Sequence, residues 1–134
     1  MKVDGGCHCG RIGFEAEIDP EKVEICHCAD CQTLSGSAFR VVVPTPEEKF
    51  RLLRGTPTTY ERVADSGNKR LQAFCRDCGT PLYSTSVGVG ARSITLRVGA
   101  IRQRDQLPPK IQYWMRSAQD WVMNIGTLPK VEKQ

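Results

Sequence analysis

Seven cysteines stand in three tight groups, with none outside them. Cys7 and Cys9 form C-x-C, Cys26, Cys28 and Cys31 form C-x-C-x-x-C, and Cys75 and Cys78 form C-x-x-C. In a reducing compartment, thiols so grouped bind metal or react more often than they form disulfides, and an odd count fits a disulfide framework poorly. The stretch "CRDCG", residues 75–79, is a metal knuckle: its turn aims backbone N–H groups at the first sulfur, and Gly79 lets the chain turn away. A knuckle supplies two ligands, whereas structural zinc takes four in a tetrahedron. "CHCG", residues 7–10, also ends in glycine at the mouth of a strand and is the natural complement. A site of Cys7, Cys9, Cys75 and Cys78 would contribute on the order of 10 kcal/mol to folding.

Cys26, Cys28 and Cys31 remain, three ligands on one short loop with no fourth cysteine to join them. Three protein ligands and one open place are the pattern of catalytic zinc. The residues leave alternatives open: His8, His27 or Asp30 closing the site structurally, or three free or redox-active thiols. In C-x-C the central side chain points away from a metal that both cysteines hold. His27 is therefore better placed beside the ligands, as a hydrogen-bonding or proton-transfer group, than on the metal.

The elements that position these groups read as strands. In "RIGFEAEI", residues 11–18, Ile12, Phe14, Ala16 and Ile18 alternate with polar positions, the period of a half-buried strand. "AFRVVV" is β-branched and ends at Pro44 and Pro46; "KFRLL" stops at Gly55, "TTYERV" at Asp65-Ser66-Gly67, and "RLQAF" runs into Cys75. "SITLRV", "IQYWM" and "WVMNI" complete the set. Helix is confined to single turns after Cys28 and around Ser117–Trp121. The expectation is an all-β chain of antiparallel sheets, a sandwich or barrel-like fold, forming one domain over 1–134 with a frayed tail at 127–134.

At 134 residues, 40% hydrophobic and 25% charged, the composition is that of a soluble globular domain. No signal-peptide pattern and no apolar run of about 20 residues is visible, so the expectation is cytoplasmic and without a membrane partner. The formal charge of +4 counts every thiol as neutral. Seven thiolates on two divalent zinc ions remove three units and leave about +1. With no run of five basic residues, nucleic acid is not an expected partner.

The chain resembles the glutathione-dependent formaldehyde-activating enzyme family, whose domain also occurs in a centromere-associated protein. The matching stretches are "GGCHCGRIGFE", "CHCADCQTLSGSAF", "LLRGTPTTY", "FCRDCGTPLY" and "TLRVGAI", with the region of Trp114 and Trp121. The resemblance implies an Mss4-like fold of packed antiparallel sheets stapled by zinc. It implies two zinc ions, a structural one on Cys7, Cys9, Cys75 and Cys78 and a catalytic one on Cys26, Cys28 and Cys31. It also implies a carbon–sulfur lyase similar to S-(hydroxymethyl)glutathione synthase, which joins glutathione to formaldehyde.

The physical logic agrees. A thiol that meets zinc loses its proton, the sulfur attacks the carbonyl, and the developing alkoxide needs a proton or a cation. His27 is one candidate source of that proton, and a displaced water is another. Glutathione carries two carboxylates, for which Arg40 and Arg116 are candidate anchors, though both read equally as ordinary surface arginines. Phe39, Trp114 and Trp121 are candidate pocket walls or core; Ser35, Gly36 and Ser37 read as a turn. Two alternatives stand beside the lyase: an enzyme using another small thiol, and a binding module that zinc merely stabilises.

Overall fold

A computed structural model of the chain describes residues 1–64, 66–88 and 90–134. Its strands form two sheets. The smaller has the order β1 (Lys2–Gly6), β2 (Gly13–Glu17), β5 (Phe50–Arg54) and is antiparallel throughout. The larger runs β10 (Ile111–Tyr113), β3 (Glu24–Cys26), β4 (Arg40–Pro46), β9 (Ser93–Arg97), β8 (Pro81–Ser86), β7 (Lys69–Phe74), β6 (Thr58–Val63). Every neighbour in it is antiparallel except β10 beside β3. Both sheets are open, so the fold is one of packed sheets and not a barrel. Among the described residues one α-helix, α1 (Ala29–Ser35), starts just after Cys28 and contains Cys31, and the remaining helical pieces are 3-10 segments.

Side-chain alternation divides the larger sheet between two tasks. Val43, Leu96, Tyr83 and Ala73 are paired across β4, β9, β8 and β7 and point to one face. There Val43 and Leu96 join Phe14, Val3 and Ala16 of the smaller sheet in the main core. Ile12, Phe14, Ala16 and Ile18 are all buried, as the period-two reading of residues 11–18 expects, but Gly13 is buried as well and the strand itself covers Gly13–Glu17. Gly5 is required at its place because a Cβ there would stand 2.2 Å from the Ala100 carbonyl oxygen. That close approach lets β1 bridge to Ile101. Phe14, wholly buried, lies 5.7 Å from the Phe50 ring, which lies 4.9 Å from Tyr83. Phe14→Ala is expected to destabilise the protein by about 3–5 kcal/mol, through lost burial and the cavity left behind. Denaturant unfolding, with an unchanged slope and a lower midpoint, checks it.

Three local expectations are corrected. Pro44 and Pro46 do not end the strand after "AFRVVV"; β4 runs through both, paired to Thr95 and Ser93. Strand β3 stops opposite Val42, so beyond it one edge of β4 has no partner strand, and proline is tolerated there. "WVMNI" is not a strand but part of a 3-10 segment, Asp120–Thr127. Strands β1, β3 and β8 carried no clear alternation of their own and were not expected. The turn at Asp65-Ser66-Gly67 falls partly outside the described residues, at Asp65.

Candidate metal centre and its cavity

The outer cysteines meet by means of the same turn built twice. The Cys7 N–H donates to the Ile12 carbonyl and the Gly10 N–H to the Cys7 carbonyl. Likewise the Cys75 N–H donates to the Thr80 carbonyl and the Gly79 N–H to the Cys75 carbonyl. Gly10 and Gly79 take left-handed backbone angles, φ 81° and 76°, where a Cβ is disfavoured. The His8 N–H donates to Thr80 Oγ1 at 3.0 Å, tying one turn to the other and leaving the His8 side chain exposed. The result brings all four sulfurs within 4.8 Å of one another.

Those sulfurs fit a zinc ion. Zn–S bonds of about 2.3 Å in a tetrahedron put sulfurs about 3.8 Å apart. Cys9 and Cys75 are separated by 3.8 Å and Cys7 and Cys9 by 3.5 Å, and all seven cysteines are free of disulfides. The Ile12 N–H points at Cys7 Sγ from 3.2 Å, and Thr80 Oγ1 lies 3.2 Å from Cys78 Sγ. Donors aimed at sulfur favour the thiolate; the Thr80 contact leads those that bring Cys78 down to about 5.

The central trio is arranged differently. Cys26 ends β3, Cys28 caps α1, and Cys31 lies in the first turn of that helix. Cys28 Sγ accepts the Cys31 N–H at 3.3 Å, the role that a serine or aspartate oxygen usually plays at a helix start. The three sulfurs lie within 4.8 Å of one another, and among the described residues no histidine, aspartate or glutamate joins them. Asp30 instead pairs with Arg62. A hydrogen bond with Cys31 is the main cause that brings Cys26 down to about 5, against burial and with help from the Cys28 N–H and the charge of Arg40. Cys31, on the other side of that hydrogen bond and more buried, moves up.

His27 points the other way. Its ring is fully buried, with Nε2 2.8 Å from Gln112 Oε1 and the Phe39 ring 5.5 Å away, edge-on. The His27 N–H donates to the Tyr113 carbonyl, and Gln32 Nε2 bridges the His27 and Ser117 carbonyls at 2.8 Å each. These bonds lock the cysteine loop to β10 and the segment after it.

The sulfurs open onto a cavity of 660 Å³ whose floor is the second face of the larger sheet. Cys26 is paired with Arg40 across β3 and β4, so the two side chains stand as neighbours on that face. Arg97, Arg70 and Arg62 follow on β9, β7 and β6. Arg40 Nη1 and Arg97 Nη2 both donate to Gln72 Oε1, at 3.3 and 2.7 Å. Burial, and then the neighbouring Arg40, pull the Arg97 guanidinium down to about 9; burial likewise lowers Arg40 and Arg70. Glu24, two residues before Cys26 on β3 and so on the same face, is pushed up by burial and by Cys26.

Of the two candidate anchors, Arg40 therefore belongs to the cavity, whereas Arg116 is exposed over the Trp114 ring, 5.9 Å from its centroid. Trp114 lines the cavity, half-exposed and at φ 59°, an uncommon angle for a bulky residue. Trp121 is exposed and Phe39 packs on His27. Gly36 caps α1 in the left-handed region, so the Ser35–Ser37 stretch is a turn. Arg62, Arg70, Arg97 and Gln72 were not anticipated. Their signal was present, since Arg70 and Gln72 alternate with Leu71 and Ala73, but alternation alone reads as a solvent face.

The family model for "Glutathione-dependent formaldehyde-activating enzyme" matches residues 2–117. A Schizosaccharomyces pombe protein described as an uncharacterized lyase is 28% identical over 82 residues, covering 61% of this chain and 56% of its own. The chain thus aligns with little more than half of that relative. The crystal structure of a Rhodobacter sphaeroides protein shares the fold, with a TM-score of 0.63 at 20% identity over 81% of this chain and 98% of the other. Among the described residues, no helix is long and apolar enough to cross a membrane.

Proposed function

The chain belongs to the glutathione-dependent formaldehyde-activating enzyme family, and from that premise we propose that it is a zinc-dependent carbon–sulfur lyase acting on a thiol–aldehyde adduct. Glutathione and formaldehyde are the pair that best fits. The observation that carries the reading is the central trio: three thiols at the wall of a 660 Å³ cavity, with no fourth ligand among the described residues. Zinc held there by Cys26, Cys28 and Cys31 would supply a Lewis-acid position at which an incoming thiol loses its proton.

The chain's own residues do the rest. β3 and α1 hold the three sulfurs on one side of the cavity, leaving the other side to substrate. Arg40, next to Cys26, offers positive charge where the aldehyde oxygen becomes an alkoxide. In the forward direction a C–S bond forms, the carbonyl π bond opens, the thiol gives its proton to solvent and the alkoxide oxygen takes one up. His27 holds position rather than passing that proton: its ring is sealed away and fastens β10 beside β3 through Gln112, so bulk solvent is the proton source. The outer four-cysteine site serves structure alone.

Exchange between glutathione, formaldehyde and their adduct, followed by NMR with and without the zinc-loaded protein, tests the reading. Exchange faster than the uncatalysed background is expected. Rates equal to that background across a range of protein concentrations would overturn it.

A further inference from the structure

The cavity floor holds more positive charge than a sheet face usually tolerates. Arg62 and Arg70 are directly opposite each other across β6 and β7, a placement that costs stability. Arg62 is answered by Asp30, but Arg40, Arg70 and Arg97 form no ion pair with a carboxylate among the described residues. Arg40 and Arg97 are each more than nine-tenths buried. Their guanidiniums have five N–H donors apiece, and Nε of each is buried with no partner. Gln72 Oε1 joins the two into one plate, and Ser84 and Thr95 hydroxyls fix Arg70 beside it at 3.1 and 3.4 Å. Buried guanidiniums whose donors are only partly met are costly, and an anion beside their Nη groups offsets that cost.

We propose that this plate, Arg40 and Arg97 joined through Gln72 with Arg70 beside them, reads a carboxylate on the substrate, so that the site selects a thiol that carries one. The inference rests on the proposed thiol chemistry at Cys26, Cys28 and Cys31 and adds what that chemistry selects. The geometry places the plate next to the sulfurs: Arg40 is the cross-strand neighbour of Cys26, and all three arginines share the cavity with the trio. A small thiol bound by sulfur at the trio therefore has a partner for its carboxylate within the same cavity. Planar, bidentate pairing with carboxylate is what a guanidinium does better than any other cation.

The competing role for the arginines is to balance the thiolates themselves. Two thiols of nearly equal size separate the roles: 3-mercaptopropionate, which has a carboxylate, and 2-mercaptoethanol, which has a hydroxyl. Cobalt-substituted protein reports sulfur binding through its visible spectrum, independently of turnover. The wild type is expected to bind 3-mercaptopropionate about ten- to a hundredfold more tightly. In Arg97→Gln that preference is expected to fall close to unity. In Arg70→Gln, a half-buried position whose exchange leaves the Gln72 contacts of Arg40 and Arg97 in place, it is expected to fall severalfold. Equal affinities in the wild type, or an undiminished preference in both variants, would overturn the assignment. A clear preference without accelerated adduct exchange would uphold the plate and sink the lyase. Accelerated exchange with no preference would do the reverse.

Discussion

Serine in place of Cys75 is expected to unfold the protein. Cys75 is 1% exposed and its sulfur joins the end of β7 to the N-terminal turn that opens β2. Structural zinc on four thiolates contributes about 10–16 kcal/mol. A folded domain of this kind has only about 5–15 kcal/mol to lose. The hydroxyl oxygen of serine is a far poorer zinc ligand than a thiolate, and here it would be left with unsatisfied neighbours. Loss of the cooperative unfolding transition and of bound zinc in the same variant is the expected result, and a strong chelator should reproduce it in the wild type. A Cys75→Ser protein that melts at the wild-type temperature would show that the outer cluster is not a staple.

Cys28→Ser is expected to do the opposite, sparing the fold and removing the chemistry. Cys28 caps α1 through its sulfur, and serine is among the preferred residues at a helix cap, so the helix start survives the exchange. The central site keeps two thiolates, too few to hold zinc firmly. Metal content should fall from two zinc ions per chain to one, with the melting temperature nearly unchanged. Adduct exchange should fall by more than about a hundredfold, since even the outlying partners of a metal site are worth ten to a hundred. Zinc analysis, thermal melting and NMR exchange on one preparation decide the matter; a fully active Cys28→Ser protein would remove the trio from the reaction.

The contrast between these two cysteines shows what could be read from the chain alone. Spacing sufficed for the clusters, because a tight turn between two cysteines is a local property. Gly10 and Gly79, each just beyond a C-x-C or C-x-x-C, marked both turns. Ile12, Phe14, Ala16 and Ile18 were equally legible, since their strand faces core on one side. What failed was whatever depended on neighbours distant in sequence. Pro44 reads as a stop, but β3 is too short to reach it. "WVMNI" has the composition of a strand, but Trp121, Met123 and Ile125 find no sheet to join and remain exposed. "PLYSTS" is polar enough to look like a loop, yet it lies between β7 and β9, with Ser84 and Thr85 buried. The arginine plate was the largest omission. Arg40, Arg70 and Arg97 come from three strands, and only the pairing of β4, β9, β8 and β7 makes them one surface.

The outer cluster also has a consequence for how the chain is made. Cys9 and Cys75 are 66 positions apart, so at about 5–20 residues per second the N-terminal pair emerges from the ribosome several seconds, from about 3 to 13, before its partners. Through that interval two sulfurs wait at the front while three emerge together behind them on a single short loop. An ion arriving early finds its better cage at the rear, and the joint between the sheets can close only once Cys78 has followed.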